Sequence, residues 1–139
     1  MILLDTSGLL SAIDASQKTH AACLASLRAA RPPFLLSPFV LAELDYLLAT
    51  RVGQREELLL LAQVEAGAYQ LEPFSTSDVG KARRVVERYA KLEIGLADAS
   101  LVVLAERHGV ADILTLDQKH FSALRGPAGK RFRIQPGRS

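Results

Sequence analysis

The chain has 139 residues, 49% hydrophobic and 23% charged, which fits one soluble globular domain with a sizeable core and excludes a disordered chain. A single cysteine, Cys23, excludes an internal disulfide framework and a cysteine-based zinc site. The formal charge of +2 hides a split: residues 118–139 hold six basic and no acidic side chains (Lys119, Arg125, Lys130, Arg131, Arg133 and Arg138), leaving residues 1–117 at −4, so the basic end is either a polyanion contact or a solvated tail.

Ile2-Leu3-Leu4 reads as a short buried strand, and Thr6-Ser7 supplies helix-start chemistry ahead of Leu9, Leu10 and Ile13. This opening has no basic region and meets a charge at Asp5, so it is not expected to be a signal peptide. Residues 17–30 form a predicted helix broken by Pro32-Pro33, followed by the strand Phe34-Leu35-Leu36. Ser37-Pro38 starts a helix that runs through Leu48 and stops near Gly53, and residues 54–66 form another, ended by Gly67. A strand at Tyr69-Gln-Leu71, a polar amphipathic helix from Ser75 to about Lys91, and a helix from Leu96 to His108 closed by Gly109 follow. Ile113-Leu-Thr-Leu116 and Phe132-Arg-Ile134 are the last strands. No apolar run reaches the ~18 residues of a membrane span, and the cytoplasm is the expected location. Short strands alternating with helices argue for a single three-layer α/β/α domain with a central parallel sheet.

Four of the fifteen acidic residues fall where a solvated helix face does not explain them. Asp5 and Asp117 each follow a strand directly, and ligands of open parallel α/β sheets bind beyond the carboxyl ends of strands; taken singly, each also reads as a turn or helix-capping aspartate. Glu43, three residues after Val40 and four before Leu47, falls on an apolar helix stripe. Asp98, followed by Leu101, Val102 and Ala105, heads the stripe expected to face the sheet. An unpaired carboxylate on such a stripe is costly to desolvate, although a buried ion pair or a surface position would explain Glu43, and a favourable helix-dipole position would explain Asp98. Asp45 lies about 200° around the helix from Glu43 and is excluded from the same site.

Two unit charges 4 Å apart repel by about 4 kcal/mol at an effective dielectric of 20, so four converging carboxylates need protons or divalent cations. Oxygen ligands without cysteine or paired histidines favour Mg²⁺ or Mn²⁺ over zinc, and such a cation suits phosphodiester hydrolysis. His20 and His108 read as helix-end residues, and the His120-Phe121 pair as an anchor after the strand, with contact between His120 and substrate as the lesser alternative. No Gly-rich phosphate loop and no Gly-x-Ser-x-Gly elbow is present.

The segments Met1-Ile-Leu-Leu-Asp5-Thr6-Ser7, Val40-Leu-Ala-Glu43-Leu, Gly95-Leu-Ala-Asp98-Ala-Ser100 and Leu114-Thr-Leu-Asp117 together resemble the PIN-domain ribonucleases, and more narrowly the VapC-type toxins of bacterial toxin–antitoxin pairs. The resemblance covers residues 1–125 as the nuclease domain, with 126–139 a basic C-terminal segment that continues it. It implies a Mg²⁺- or Mn²⁺-dependent endoribonuclease with Asp5 and Asp98 as principal metal ligands and Glu43 and Asp117 completing the cluster. Thr6 or Ser7 would hold a carboxylate or water by hydrogen bonds, and Lys119 and Arg125 are candidate RNA contacts. It further implies a homodimer and a VapB-like antitoxin that blocks the site. The apolar runs Leu58-Leu-Leu-Leu61 and Phe39-Val-Leu-Ala-Glu-Leu-Asp-Tyr46 suit such partner surfaces, or else helices buried deeply in the domain. The competing expectation is a non-catalytic RNA- or protein-binding module on the same scaffold. A phosphoryl-transfer domain is disfavoured because no second aspartate follows closely after Asp5.

Overall fold

A computed structural model describes residues 1–137; Arg138 of the basic segment lies outside the described residues. Five strands, β1 (Ile2–Leu4), β2 (Phe34–Leu36), β3 (Gln70–Leu71), β4 (Asp112–Leu114) and β5 (Arg133–Gln135), form one sheet in the order β3-β2-β1-β4-β5. Every pairing is parallel, with Leu3 opposite Leu35 on one side and Ile113 on the other. All of β1 is buried, as expected of a central strand covered on both faces. The connections step one way from β1 to β3 and the other way from β3 to β5. With right-handed crossovers, this reversal sends α1 (Thr6–Ile13) and α2 (His20–Ala29) to one face, and α5 (Thr76–Arg88) and α6 (Leu96–His108) to the other. This is the α/β/α arrangement expected from the sequence.

Local chemistry sets the helix starts. Asp5 caps α1, Ser37 caps α3 (Pro38–Leu47) with Pro38 in its first turn, and Ser75 and Asp78 form a reciprocal capping box on α5. Several elements differ from the sequence reading: the strand expected over 113–116 ends at Leu114, and the helix expected to reach about Lys91 ends at Arg88. The helix expected over 17–30 begins only at His20, because residues 14–19 form turns closed by Asp14 and Gln17. Between α3 and α4 (Gln54–Glu65), residues Leu48–Val52 form a turn of π-helix rather than a regular helix end. A short helix, α7 (Gln118–Ala123), follows the fourth strand, where none was expected.

The core joins the sheet to its helices through residues such as Leu3, Leu35, Leu44, Leu101, Leu104 and Phe121, all fully buried. Of the run Leu58–Leu61, only Leu60 is buried; Leu58 and Leu59 are each 56% exposed, and Tyr46 on α3 is 67% exposed. Deep burial therefore does not account for these apolar runs. Among the described residues, no helix is long and apolar enough to cross a membrane.

Candidate active site

The carboxyl ends of β1 and β4 lie side by side, and the chain turns into a helix directly after β1 and three residues after β4. This geometry brings Asp5 and Asp117 to one edge of the sheet. Asp5 is 6% exposed and heavily bonded. Its Oδ1 accepts from the Thr6 amide (2.8 Å), and its Oδ2 accepts from Thr115 Oγ1 (2.6 Å) and Ser7 Oγ (3.3 Å). The same two hydroxyls fix the neighbouring strand exit, since Ser7 Oγ accepts from the Leu116 amide (3.0 Å) and Thr115 Oγ1 from the Asp117 amide (2.9 Å). Burial raises the Asp5 carboxyl above its ordinary range; the bonds from Thr115, Thr6 and Ser7 oppose this, and the charge of Asp117 adds to it.

Asp117 caps α7, accepting the His120 amide on Oδ1 (3.0 Å), while its Oδ2 lies 2.7 Å from His120 Nδ1. The same ring nitrogen is 3.8 Å from Asp98 Oδ2. Asp98 stands in the first turn of α6, and its carboxyl is pushed up to about 6, first by burial, then by the charges of Asp5 and Asp117, with His120 opposing and Glu43 adding. Asp98, Asp117 and His120 each offer a ligand atom, all within 4.8 Å of one another. Oxygen donors joined by one imidazole nitrogen form a donor set that fits a divalent cation.

These residues line a cleft of about 680 Å³ together with Glu43, Thr6, Ser7 and Arg51. Opposite walls are joined where α3 begins. The Ser100 hydroxyl donates to the Ala97 carbonyl (2.6 Å), so the 2.7 Å contact between Ser37 and Ser100 is a donation from Ser37. The helix bearing Glu43 is thereby fixed to the helix bearing Asp98.

The cleft brings together Asp5, Glu43, Asp98 and Asp117, but Glu43 is placed differently from the stripe argument. The buried stripe of α3 and the turn after it is Val40, Leu44 and Leu48, and Glu43 beside it is exposed at the cleft rim. Ser7 bonds within the site by its hydroxyl, whereas Thr6 does so through its amide; the Thr6 hydroxyl is buried without a hydrogen-bond partner. Lys119 is exposed on α7 and does not line the cleft. Arg125 is directed away from it, donating to the carbonyls of Ser122, Ala123 and Leu124 at the end of α7. Asp45 also stays outside, with its carboxyl against Glu57 of α4. Sequence reasoning missed Thr115 and Arg51 and took His120 for an anchor. An Asp-x-x-His spacing at a helix start, which lets the ring fold back on the capping carboxylate, was the available signal for His120.

The family model for the PIN domain matches residues 2–127. The chain is 44% identical over 135 residues to Ribonuclease VapC26 of Mycobacterium tuberculosis (strain ATCC 25618 / H37Rv), covering 97% of this chain and all of that protein. In structure it is similar to Mycobacterium tuberculosis VapC20, a sarcin-ricin loop cleaving toxin, with a TM-score of 0.82 and 21% identity over 94% of this chain and 99% of that one. It is also similar to VapBC2 of Rickettsia felis, solved with a DNA fragment from their promoter, with a TM-score of 0.67 and 20% identity over 96% of this chain and 98% of the other. These two structural likenesses concern the fold.

Proposed function

The chain belongs to the PIN-domain family, among the VapC ribonucleases, and from that premise we propose that it is the endoribonuclease toxin of a toxin–antitoxin pair, hydrolysing RNA phosphodiester bonds with Mg²⁺, or Mn²⁺ in its place. The observation that carries this reading is the convergence of Asp5, Glu43, Asp98 and Asp117 on one cleft at the carboxyl edge of a parallel sheet. Asp5 and Asp98 would be the principal ligands of the cation, with Asp117 and Glu43 completing the cluster and the His120 nitrogen available beside Asp98 and Asp117. A divalent cation bound there supplies water activation and stabilises charge developing on a phosphoryl oxygen.

The chain's own groups prepare that step. Thr115, Ser7 and the Thr6 amide fix the Asp5 carboxylate in one orientation, and His120 does the same for Asp117. Such supporting bonds make a ligand set rigid before anything binds. Arg51, on the cleft wall, would meet a phosphate of the RNA and offset the repulsion an acidic pocket presents to a polyanion. The exposed Leu58, Leu59 and Tyr46 support protein contacts on α3 and α4, with a second copy of the chain and a VapB-like antitoxin as partners. A cytoplasmic location and a single domain, with 126–139 continuing 1–125, belong to the same reading; the pairing of β5 with β4 supports the latter.

The test is cleavage of total RNA with Mg²⁺ or Mn²⁺. EDTA abolishes cleavage, and Asp5→Ala or Asp98→Asn lowers it by more than about 100-fold, beyond the loss typical of supporting residues. Cleavage that survives either treatment overturns the reading in favour of a metal-independent activity, and RNA retention that needs neither cation nor these carboxylates would point to a binding module.

A further inference from the structure

A second recess, of about 470 Å³, lies between α5, α6 and the loop around Gly126 and Gly129, and shares no lining residue with the acidic cleft. Its charge is of the opposite sign. On α5, Lys81, Arg84 and Arg88 stand at spacings of three and four, one above another on a single helix face. Arg125 enters from the end of α7, and Glu106 is the acidic residue on the lining. Lys81 and Arg107 are tied to Asp78, and Arg107 also to Glu72. Arg84, Arg88 and Arg125 have no carboxylate partner among the described residues; Arg125 bonds only carbonyls. Like charges four apart on a helix cost a few tenths of a kcal/mol, which the place of Arg88 in the last turn of α5 offsets. The neighbouring pair Arg83 and Glu87 is compensated at 2.6 Å.

The floor is of another character. Val85, Val102 and Val103 are apolar, and the Tyr89 ring has the Arg88 guanidinium 5.7 Å from its centroid. Guanidinium groups without carboxylate partners, one of them beside an aromatic ring, over an aliphatic lining form the combination that holds a single-stranded nucleic acid, with phosphates on the cations and a base against the aromatic side chain. Lys130 and Arg131, next in the chain after this loop, are exposed but do not line the recess. We propose that this recess is an RNA-binding exosite that engages a single-stranded segment of the substrate away from the scissile bond. The inference rests on the reading of the protein as a ribonuclease.

Two measurements separate the fate of the exosite from that of the nuclease reading. The first is fluorescence anisotropy of a labelled 20-nucleotide mixed-sequence single-stranded RNA in EDTA, which needs no catalysis. Arg84→Ala/Arg88→Ala, at two exposed positions, weakens binding about tenfold and makes the dependence of log affinity on log salt shallower by about 1.4, for two lost phosphate contacts; Arg84→Lys/Arg88→Lys recovers the salt slope. The second is cleavage. The alanine double variant raises KM for long RNA with kcat unchanged, and cleaves a five-nucleotide RNA as the unsubstituted protein does. Unchanged RNA affinity in EDTA overturns the exosite whatever the cleavage assay shows. Equal losses on the long and the five-nucleotide RNA also overturn it, by placing the arginines in the active site. Tighter binding of polyglutamate than of RNA would assign the recess to an acidic polypeptide instead. A protein that cleaves no RNA refutes the nuclease reading and leaves the anisotropy result to decide the recess.

Discussion

Asp98 shows how one residue joins stability to function. Its carboxyl rises from 3.8 to about 6 because burial and the charges of Asp5 and Asp117 disfavour the ionised form in the folded state. A carboxyl raised on folding contributes stability that is present below the unfolded value and is lost as pH rises through the folded one. Without a cation the protein therefore loses stability between about pH 4 and pH 6 through this group, and a divalent cation bound by the cluster would offset the loss. Asp98→Asn removes the penalty along with the charge: we expect the melting temperature of the EDTA-treated variant at neutral pH to rise by a few degrees, with a flatter profile between pH 4 and 6, while cleavage is lost. Thermal melts across that range, with and without Mn²⁺, check the expectation; a variant that melts lower than the unsubstituted protein at neutral pH refutes it.

At the scale of elements, the approach of α1 to β4 holds the cleft together. Gly8 lies so close to β4 that a Cβ there would stand 2.6 Å from the Leu114 carbonyl oxygen and 2.7 Å from its carbon. Alanine is favoured over glycine in a helix by about 1 kcal/mol, but overpacking against strand backbone costs about 1–3 kcal/mol or more, and the backbone has little freedom to yield. Gly8→Ala should lower the urea midpoint and misplace Asp5 against Thr115; a midpoint equal to or above that of the unsubstituted protein would show that the strand gives way. The same elements show what a sequence can and cannot convey. Asp5 and Asp117 are readable at the site edge because a strand followed by a capping residue is a local pattern. Glu43 is not readable as a rim residue, because Phe39, Val40, Leu41, Leu44, Leu47 and Leu48 leave α3 apolar on nearly every side and periodicity cannot choose the buried stripe. Arg51 escapes for a related reason: a π-helical turn changes the phase that places it. The six residues of α7 are too few and too polar to show a period.

Across the whole molecule, charge is sorted by face. The negative excess of residues 1–117 is equal in number to the four carboxylates of the cleft, whereas Arg125 from the basic end lies beside the arginines of α5. A third surface is neither acidic nor basic. Leu58 and Leu59 on α4 and Tyr46 on α3 leave apolar area in water that a protein partner would cover. Leu58→Lys/Leu59→Lys is expected to shift the protein from two copies to one by light scattering while leaving cleavage of a five-nucleotide RNA unchanged; a variant that remains paired moves the self-contact to another face. The strand order carries a consequence for synthesis. Strand β1 emerges first yet takes one of its two neighbours from residues 112–114, and Thr115 and Asp117 arrive only after that. A nascent chain interrupted before this point holds Asp5, Glu43 and Asp98 without the strand that brings them to one edge. The site is therefore assembled only once most of the chain has been made, and a truncated product carries its acids without the edge that gathers them.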